Sequence, residues 1–289
     1  MYQIANQYII SKKADLQRIS GFSVFQKSET VTAAPLLTIE AEFPMLSWDT
    51  PPLHSFSLDN DEAICDFACA GDTYLFRMIP PQSAPFLMEI TPQSEGFAAR
   101  TNMNNQTPAY LLRFACWIAF GIAALHRRTV AIHASAITYR GKSALFLGES
   151  GVGKSTHTRL WLQHIPDAAL LNDDSPFIQA TEGNISVHGS PWSGKTSCFK
   201  NENTPVAAIV RLSQAPRNEI TRLRGIRALG ALLPSCPPVF AAHSPLADLI
   251  HEILAVVLQQ IPVYHLCCLP DAQAAQLVLS TLEKDSCLC

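Results

Sequence analysis

The stretch Gly148-Glu149-Ser150-Gly151-Val152-Gly153-Lys154-Ser155-Thr156 constrains this chain more than any other. It fits G-x-x-x-x-G-K-[ST], a loop whose backbone N–H groups can cradle phosphates. Upstream, Ser143 to Leu147 is a short apolar run that ends at the first glycine, as a buried strand would. Downstream, Ser155 to Leu162 lacks Gly and Pro and can open as a helix. Strand, glycine loop and helix N-terminus would aim a row of amides and a positive dipole end at an anion. Lys154 could then reach the β/γ-phosphates, and the Ser155 hydroxyl could hold Mg²⁺. The competing reading is a glycine-rich turn with no ligand. The flanking strand and helix weigh against it, and they place the loop in an α/β fold.

The rest of the composition narrows the class. With 289 residues, 48% of them hydrophobic and 16% charged, the chain builds a core and is long enough for one large domain or two ordinary ones. A net charge of −3 gives no reason to expect nucleic acid or an anionic membrane as partner. The first residues offer neither a basic n-region nor an apolar h-region, so export is not expected and a cytoplasmic location is. Phe114 to Leu125, the longest apolar run, is too short to span a bilayer and is bounded by Arg113 and His126; it reads as a buried helix. Nine cysteines, an odd count, suit free thiols. Neither Cys65 with Cys69 nor Cys267-Cys268 with Cys287 and Cys289 completes a zinc spacing, and Cys287-Leu288-Cys289 is not a prenylation box.

Residues 1–105 read as a β-rich domain. Short apolar or alternating runs (Tyr8 to Ile10, Phe22 to Phe25, Leu36 to Phe43, Thr73 to Ile79, Phe86 to Ile90) are separated by turn residues. Asp59-Asn60-Asp61 and Gly71-Asp72 look like hairpin turns. Glu40 and Glu42 alternate with Ile39, Ala41 and Phe43, as on the solvated face of a strand. No motif assigns this region a role. The polar stretch Thr101 to Pro108 marks the boundary, so that residues 106–289 form the nucleotide-binding domain.

That second domain opens with a helix from Ala109 to His126. One strand is expected from Val130 to Tyr139, turned by Arg140-Gly141 into the strand before the glycine loop. His133 is the polar residue in the apolar half of that strand; a packed core histidine and a catalytic one are both open. Asp167 to Ser175 reads as an apolar strand ending in Asp173-Asp174. It follows the loop so closely that it must pair near the loop's strand, and alternation would turn the two carboxylates opposite ways. Ile185 to Lys195 runs into a second glycine loop, with Gly194-Lys195-Thr196 as a substrate or nucleotide contact. Pro205 to Leu212 is a strand with Arg211 near its end. Arg222, Arg224 and Arg227 could clamp phosphates, although such a run is more often a solvated face. Ser244-Pro245 should start a helix to Gln260, and Asp271 should cap a last helix to Lys284.

Across residues 130–200 this order of parts resembles the C-terminal kinase domain of HPr kinase/phosphorylase, whose nucleotide-binding core is similar to that of phosphoenolpyruvate carboxykinase. The matching pieces are Ile132-His133-Ala134-Ser135-Ala136, Gly148 to Thr156, and Leu171-Asn172-Asp173-Asp174. The resemblance implies ATP and Mg²⁺ as cofactors, His133 beside the transferred phosphate and Lys154 holding it. One aspartate would be a metal ligand and the other the base that deprotonates a serine hydroxyl. Asp173 is taken as the base, with Ser155 and Asp174 on the metal. The chain departs from the family at Ser186-Val187-His188-Gly189, where bifunctional members carry an acidic ligand. Residues 1–105 match no HPr kinase domain.

The sequence therefore leads to an ATP-dependent kinase that transfers the γ-phosphoryl group to a hydroxyl, a serine of a protein or peptide. A small-molecule kinase or carboxykinase-like enzyme is one alternative, though no second metal site with a carboxylate-binding arginine is visible. A non-catalytic ATP-binding regulator is the other, and it would need no base. No nucleic-acid or membrane partner is expected, and a homo-oligomer stays open.

Overall fold

The computed structural model describes residues 1–12, 14–27, 33–41, 48–58, 62–181, 183–194 and 196–288. The turn read at Asp59-Asn60-Asp61, the strand end at Glu42 and Phe43, Lys195 and Cys289 lie outside them. The chain is a mixed α/β protein whose described strands form two sheets. It divides into two compact units, Met1–Arg127 with Pro238–Ala247, and Arg128–Pro237 with Asp248–Cys289. Among the described residues no helix is long and apolar enough to cross a membrane.

The first unit holds β1 (Tyr2–Ile4), β2 (Gln7–Lys12), β3 (Leu37–Glu40), β4 (His54–Ser57), β5 (Ile64–Ala70), β6 (Thr73–Ile79), β7 (Phe86–Gln93), β8 (Gly96–Thr101) and helix α1 (Ala109–Leu125). Its described strands lie in the order β1-β2-β3-β8-β7-β6-β5-β4. Gly71 supplies the left-handed turn (φ 58°) between β5 and β6. Phe22 to Phe25, read above as a strand, is a short 3₁₀ helix that buries both phenylalanines. Gly21 (φ 88°) turns the chain into it, and so short an apolar run has no period to tell the two apart.

The expected boundary at 105/106 does not coincide with the division into units, which falls after α1. The polar stretch before that helix is a local turn: Asn104 accepts from the Gln106 amide, and Thr107 accepts from the Asn104 amide. Helix α1 then packs on its own unit, with Phe114 against Phe56 and Phe76. Phe240 joins the same unit by stacking on Trp117. It sits so close to Gly121 that a Cβ there would lie 2.9 Å from its ring.

The second unit contains β9 (Thr129–Ala131), β10 (Ala134–Tyr139), β11 (Lys142–Leu147), α2 (Lys154–His164), β12 (Ala169–Asp174), β13 (Phe177–Thr181), β14 (Asn184–His188), β15 (Asn203–Gln214), β16 (Glu219–Leu223) and α3 (Ile226–Leu232). After α4 (Pro238–Ala241), which belongs to the first unit, come α5 (Ser244–Gln260), which is in the second unit from Asp248 onward, β17 (Val263–Cys268) and α6 (Ala272–Lys284). The sheet runs β12-β10-β11-β15-β14-β13-β9, with β17 also on β15 and β16 on β17. Arg140 (φ 48°) and Gly141 (φ 78°) are both left-handed, as a two-residue I′ hairpin between β10 and β11 requires. Asp271 accepts from the Ala274 amide and caps α6.

The single strand expected from Val130 to Tyr139 is two. β9 pairs with β13 and β10 pairs with β11 and β12, so the chain changes partners at Ile132-His133. Both halves are apolar, and nothing in their side chains announces the break. β12 lies beside β10, one strand removed from β11, because the hairpin's first strand takes the place between them. Buried Phe146, Trp161, Tyr264 and Val278 centre the core that fixes this layout. The Trp161 indole N–H donates to His157 Nε2 (3.2 Å) and the Phe146 ring packs on His157, which clamps α2 against the strand feeding the glycine loop.

Candidate functional site

The site begins where β11 ends. Gly148 (φ 153°), Gly151 (φ 80°) and Gly153 (φ 110°) all take backbone conformations that side chains resist. At Gly148 the constraint is double, since a Cβ would lie 2.5 Å from Val152 Cγ1. Val152 N–H donates to Glu149 O (3.2 Å), which closes the loop, and Gly153 precedes α2 with no side-chain cap. The first amides of α2 are therefore free of a competing side-chain acceptor. Glu149 and Ser150 are the exposed crest, and Ser155 and Thr156 lie in the helix's first turn. Lys154 Nζ donates to Gly148 O (2.8 Å) and Glu149 O (3.2 Å), so its ammonium sits inside the curve of its own loop. Burial pulls its pKa down, against the raising pull of Asp174 and Asp173, while Arg211 lowers it further.

Asp173 and Asp174, at the end of β12, face opposite ways. Asp173 is 4% exposed. Its Oδ1 accepts from Ser135 Oγ (2.5 Å), and its carboxylate lies 3.3 and 3.4 Å from Ser155 Oγ. Those last distances are long for O–H···O bonds. Its carbonyl accepts from Gly194 N–H (2.5 Å) and Ser193 Oγ (3.2 Å). Asp174 instead turns its Oδ1 toward His133 Nδ1 at 3.2 Å, and both side chains are about half exposed, 42% and 45%. The sequence reading grouped Ser155 with Asp174; the structure brings Ser155 to Asp173. A β-bulge lies just before the pair: Ala136 pairs with Asn172 but Ile137 with Leu170, leaving Leu171 as the extra residue. Such a bulge re-aims the side chains that follow it. Asp174 also carries φ 133°, a strained value for a residue with a side chain, of the kind held at functional sites at a cost of ~1–3 kcal/mol.

The second loop packs under this pair. Gly194 packs tightly here, because a Cβ would meet Asp174 Cβ at 3.1 Å and Asp173 O at 3.2 Å. Asn172, fully buried, donates to Ser190 O and Trp192 O (both 3.3 Å) and accepts from Ser175 N–H (3.0 Å), tying the loop to β12. His133 sits between β9 and β10, with its N–H on Ser235 O (2.7 Å). Arg211 donates to Ala231 O (3.1 Å) and pairs with Glu149 (3.8 Å) across the loop. Arg222, Arg224 and Arg227 are not part of this cluster; Arg222 pairs with Asp285 at 3.7 Å.

Sequence reasoning passed over Ser135 and Ser193 as contacts of Asp173. The register of β10 against β12, which sets Ser135 opposite Asp173, was the signal for the first. His157 and His188 are core histidines held down to about 4 by burial and so are neutral at pH 7. Burial drives the Cys65, Cys116 and Cys236 thiols up to about 12, and they act as small hydrophobes.

Gly189 holds the second loop to the segment leading into β15 by close backbone contact, its N–H on Glu202 O at 2.9 Å. A Cβ there would collide with Lys200 O. Gly189→Ala is therefore expected to destabilise the second unit by about 1–3 kcal/mol, as overpacking does. Chemical denaturation of the two proteins checks it, and an unchanged midpoint would refute the close approach.

No protein-family model matches the chain, and no curated protein matches it. Among solved structures it is similar to the Hpr(Ser) kinase/phosphatase from Coxiella burnetii, with 13% identity and a TM-score of 0.30 over 54% of this chain and 95% of that one. At that identity and score the likeness carries no argument about activity.

Proposed function

We propose that the second unit is a P-loop kinase of the HPr kinase-like type, an ATP- and Mg²⁺-dependent phosphotransferase acting on a hydroxyl, a serine of a protein or peptide. The observation that carries the reading is the division of labour between adjacent carboxylates, Asp173 against Ser155 and Asp174 against His133. A hydroxyl and a carboxylate separated by a loose contact are the oxygen donors that Mg²⁺ takes. The left-handed glycines and the open first turn of α2 suit phosphate oxygens. The residues thus fit both groups.

Bound ATP–Mg²⁺ would supply the phosphoryl group and the divalent charge that neutralises it. The loop amides hold the phosphate chain, and Lys154 exchanges its two carbonyl contacts for phosphate oxygens. Ser155 and Asp173 take the metal side, which reverses the roles expected from the sequence alone. Asp174, exposed and beside His133, accepts the proton of the attacking hydroxyl on its carboxylate. His133, with its Nδ1 3.2 Å from Asp174 Oδ1, orients that carboxylate toward the acceptor. Catalysis of this kind is mostly positioning and electrostatics. Mass spectrometry of the purified protein with ATP and serine-containing peptides tests the reading. Failure of any hydroxyl to gain a phosphate, with ATP bound, would leave only a regulator.

The absence of an acid at Ser186-Val187-His188-Gly189 predicts a one-way enzyme. Ser186 Oγ and His188 Nε2 are spent on each other (3.0 Å) inside the core. Incubating a phosphorylated product with inorganic phosphate is expected to yield no pyrophosphate. Ready pyrophosphate release would show that another residue supplies the missing ligand.

A further inference from the structure

Strand β16 pairs with β17 along one side, and no strand among the described residues pairs with its other edge. At its end the chain opens into a groove of about 770 Å³ lined by Leu223, Arg224, Ile226, Leu229, Ala255 and Leu258, among others. The floor is apolar. Ile226, on the rim, is 79% exposed, the highest value among the exposed large hydrophobic side chains of the described residues. An apolar side chain left in water beside an apolar groove marks a surface made to be covered. The lining carries Arg222 and Arg224 and no acid, and Glu219 at the start of β16 is already paired with Arg217 (3.0 Å). Arg222 lies on the open strand and, among the described residues, makes one long ion pair, to Asp285 (3.7 Å). Arg224 has no acidic partner among the described residues. Asp248 and Glu252, the acids of the facing helix α5, do not line the groove.

We infer that this edge and groove dock an acidic, extended segment of a polypeptide, added as a strand beside β16 with one apolar side chain in the groove. Backbone pairing on a free edge gives affinity, and alternate side chains give specificity. Arginines on the edge discourage pairing with a second copy of the same strand and select glutamate- or aspartate-bearing ones. The groove shares one wall with an element that contacts the proposed phosphotransfer site. Its wall, α3, carries the Ala231 carbonyl that receives Arg211, and Ser235, just beyond it, receives the His133 amide. A segment docked here rests on α3, which receives Arg211 and leads directly into the turn that receives the His133 amide. In naming the acceptor as an acidic polypeptide the inference rests on the phosphotransfer reading, but the binding itself does not.

The full chain is to be titrated with fluorescein-labelled short peptides alternating glutamate and leucine, and with lysine–leucine counterparts, by fluorescence anisotropy. The acidic peptide is expected to bind and to weaken at high salt, and the basic one not to bind. Arg222→Glu with Arg224→Glu should weaken binding at least about tenfold. Ala255→Trp, which fills the groove, should do the same, while Ala255→Ser should not. The thermal shift by ATP–Mg²⁺ should be unchanged in all of them, which also shows that they fold. Equal binding of both peptides, or wild-type affinity in the charge-reversed variant, would overturn the inference. A dimer in sedimentation that Ala255→Trp dissolves would assign the groove to a second copy instead. Binding of anionic vesicles in place of the peptide would assign it to a membrane. Loss of ATP binding with peptide selectivity intact would sink the kinase reading alone.

Discussion

Lys154→Ala is expected to lower phosphoryl transfer by about 10²–10³-fold, the usual loss when one preorganised donor to developing charge is removed. The ammonium lies within the glycine loop at 2.8 and 3.2 Å from two of its carbonyls, so it is already gathered where phosphate oxygens would replace them. Little reorganisation is then needed on binding, and charge-assisted contacts formed there are strong. Thermal shift separates this from a folding defect. At ~100-fold excess over Kd a ligand stabilises by about 2.7 kcal/mol, or about 5–10 °C for a domain of this size. Wild type should show that shift with ATP–Mg²⁺ and the variant only a small part of it. Their melting temperatures without nucleotide should agree, since the lost contacts are to two carbonyls of one surface turn that water can reach. Equal shifts in both proteins would remove the glycine loop from the mechanism.

The loop was legible because glycine spacing is read directly from sequence and needs no tertiary knowledge. The same holds for local devices such as the Arg140-Gly141 hairpin and the Asp271 cap, where one residue's chemistry decides the geometry. What stayed hidden depends on partners far along the chain. The break at Ile132-His133 exists because β9 and β10 belong to different neighbours, and an apolar run looks the same either way. It matters, because it half-exposes a histidine that an unbroken strand would have buried or paired. The bulge at Leu171 is likewise silent in sequence, yet a one-residue change in register swaps what each aspartate faces. Arg211 reaches the loop from β15, and the groove beside β16 joins strand, turn and two helices; neither has a local signature.

Asp173 and Asp174 are expected to fail differently when each is changed to asparagine. Asp174→Asn should leave ATP–Mg²⁺ affinity close to wild type and lower turnover by about 10²–10⁴-fold, the range for losing a general base. Asp173→Asn should weaken Mg²⁺-dependent nucleotide binding and turnover together, because its carboxylate faces Ser155 in the buried end of the site. Ser135 would also lose an ionised acceptor there, so some stability should go with it. Asp174→Gly adds a second, independent readout. Relief of a φ of 133° returns ~1–3 kcal/mol, against ~0.5–1 kcal/mol for the added chain entropy of glycine. That variant should therefore melt higher than wild type while losing turnover. Strain kept at a residue whose removal stabilises the protein is hard to explain for a solvated turn. It follows naturally if the strain holds a carboxylate against His133 for use on an acceptor. Separate titrations of ATP affinity and rate decide the matter. If Asp174→Asn lost nucleotide affinity and Asp173→Asn kept it, the roles would revert to those expected from the sequence. If both kept full turnover, the pair would have no part in the chemistry and the phosphotransfer reading would lose its base.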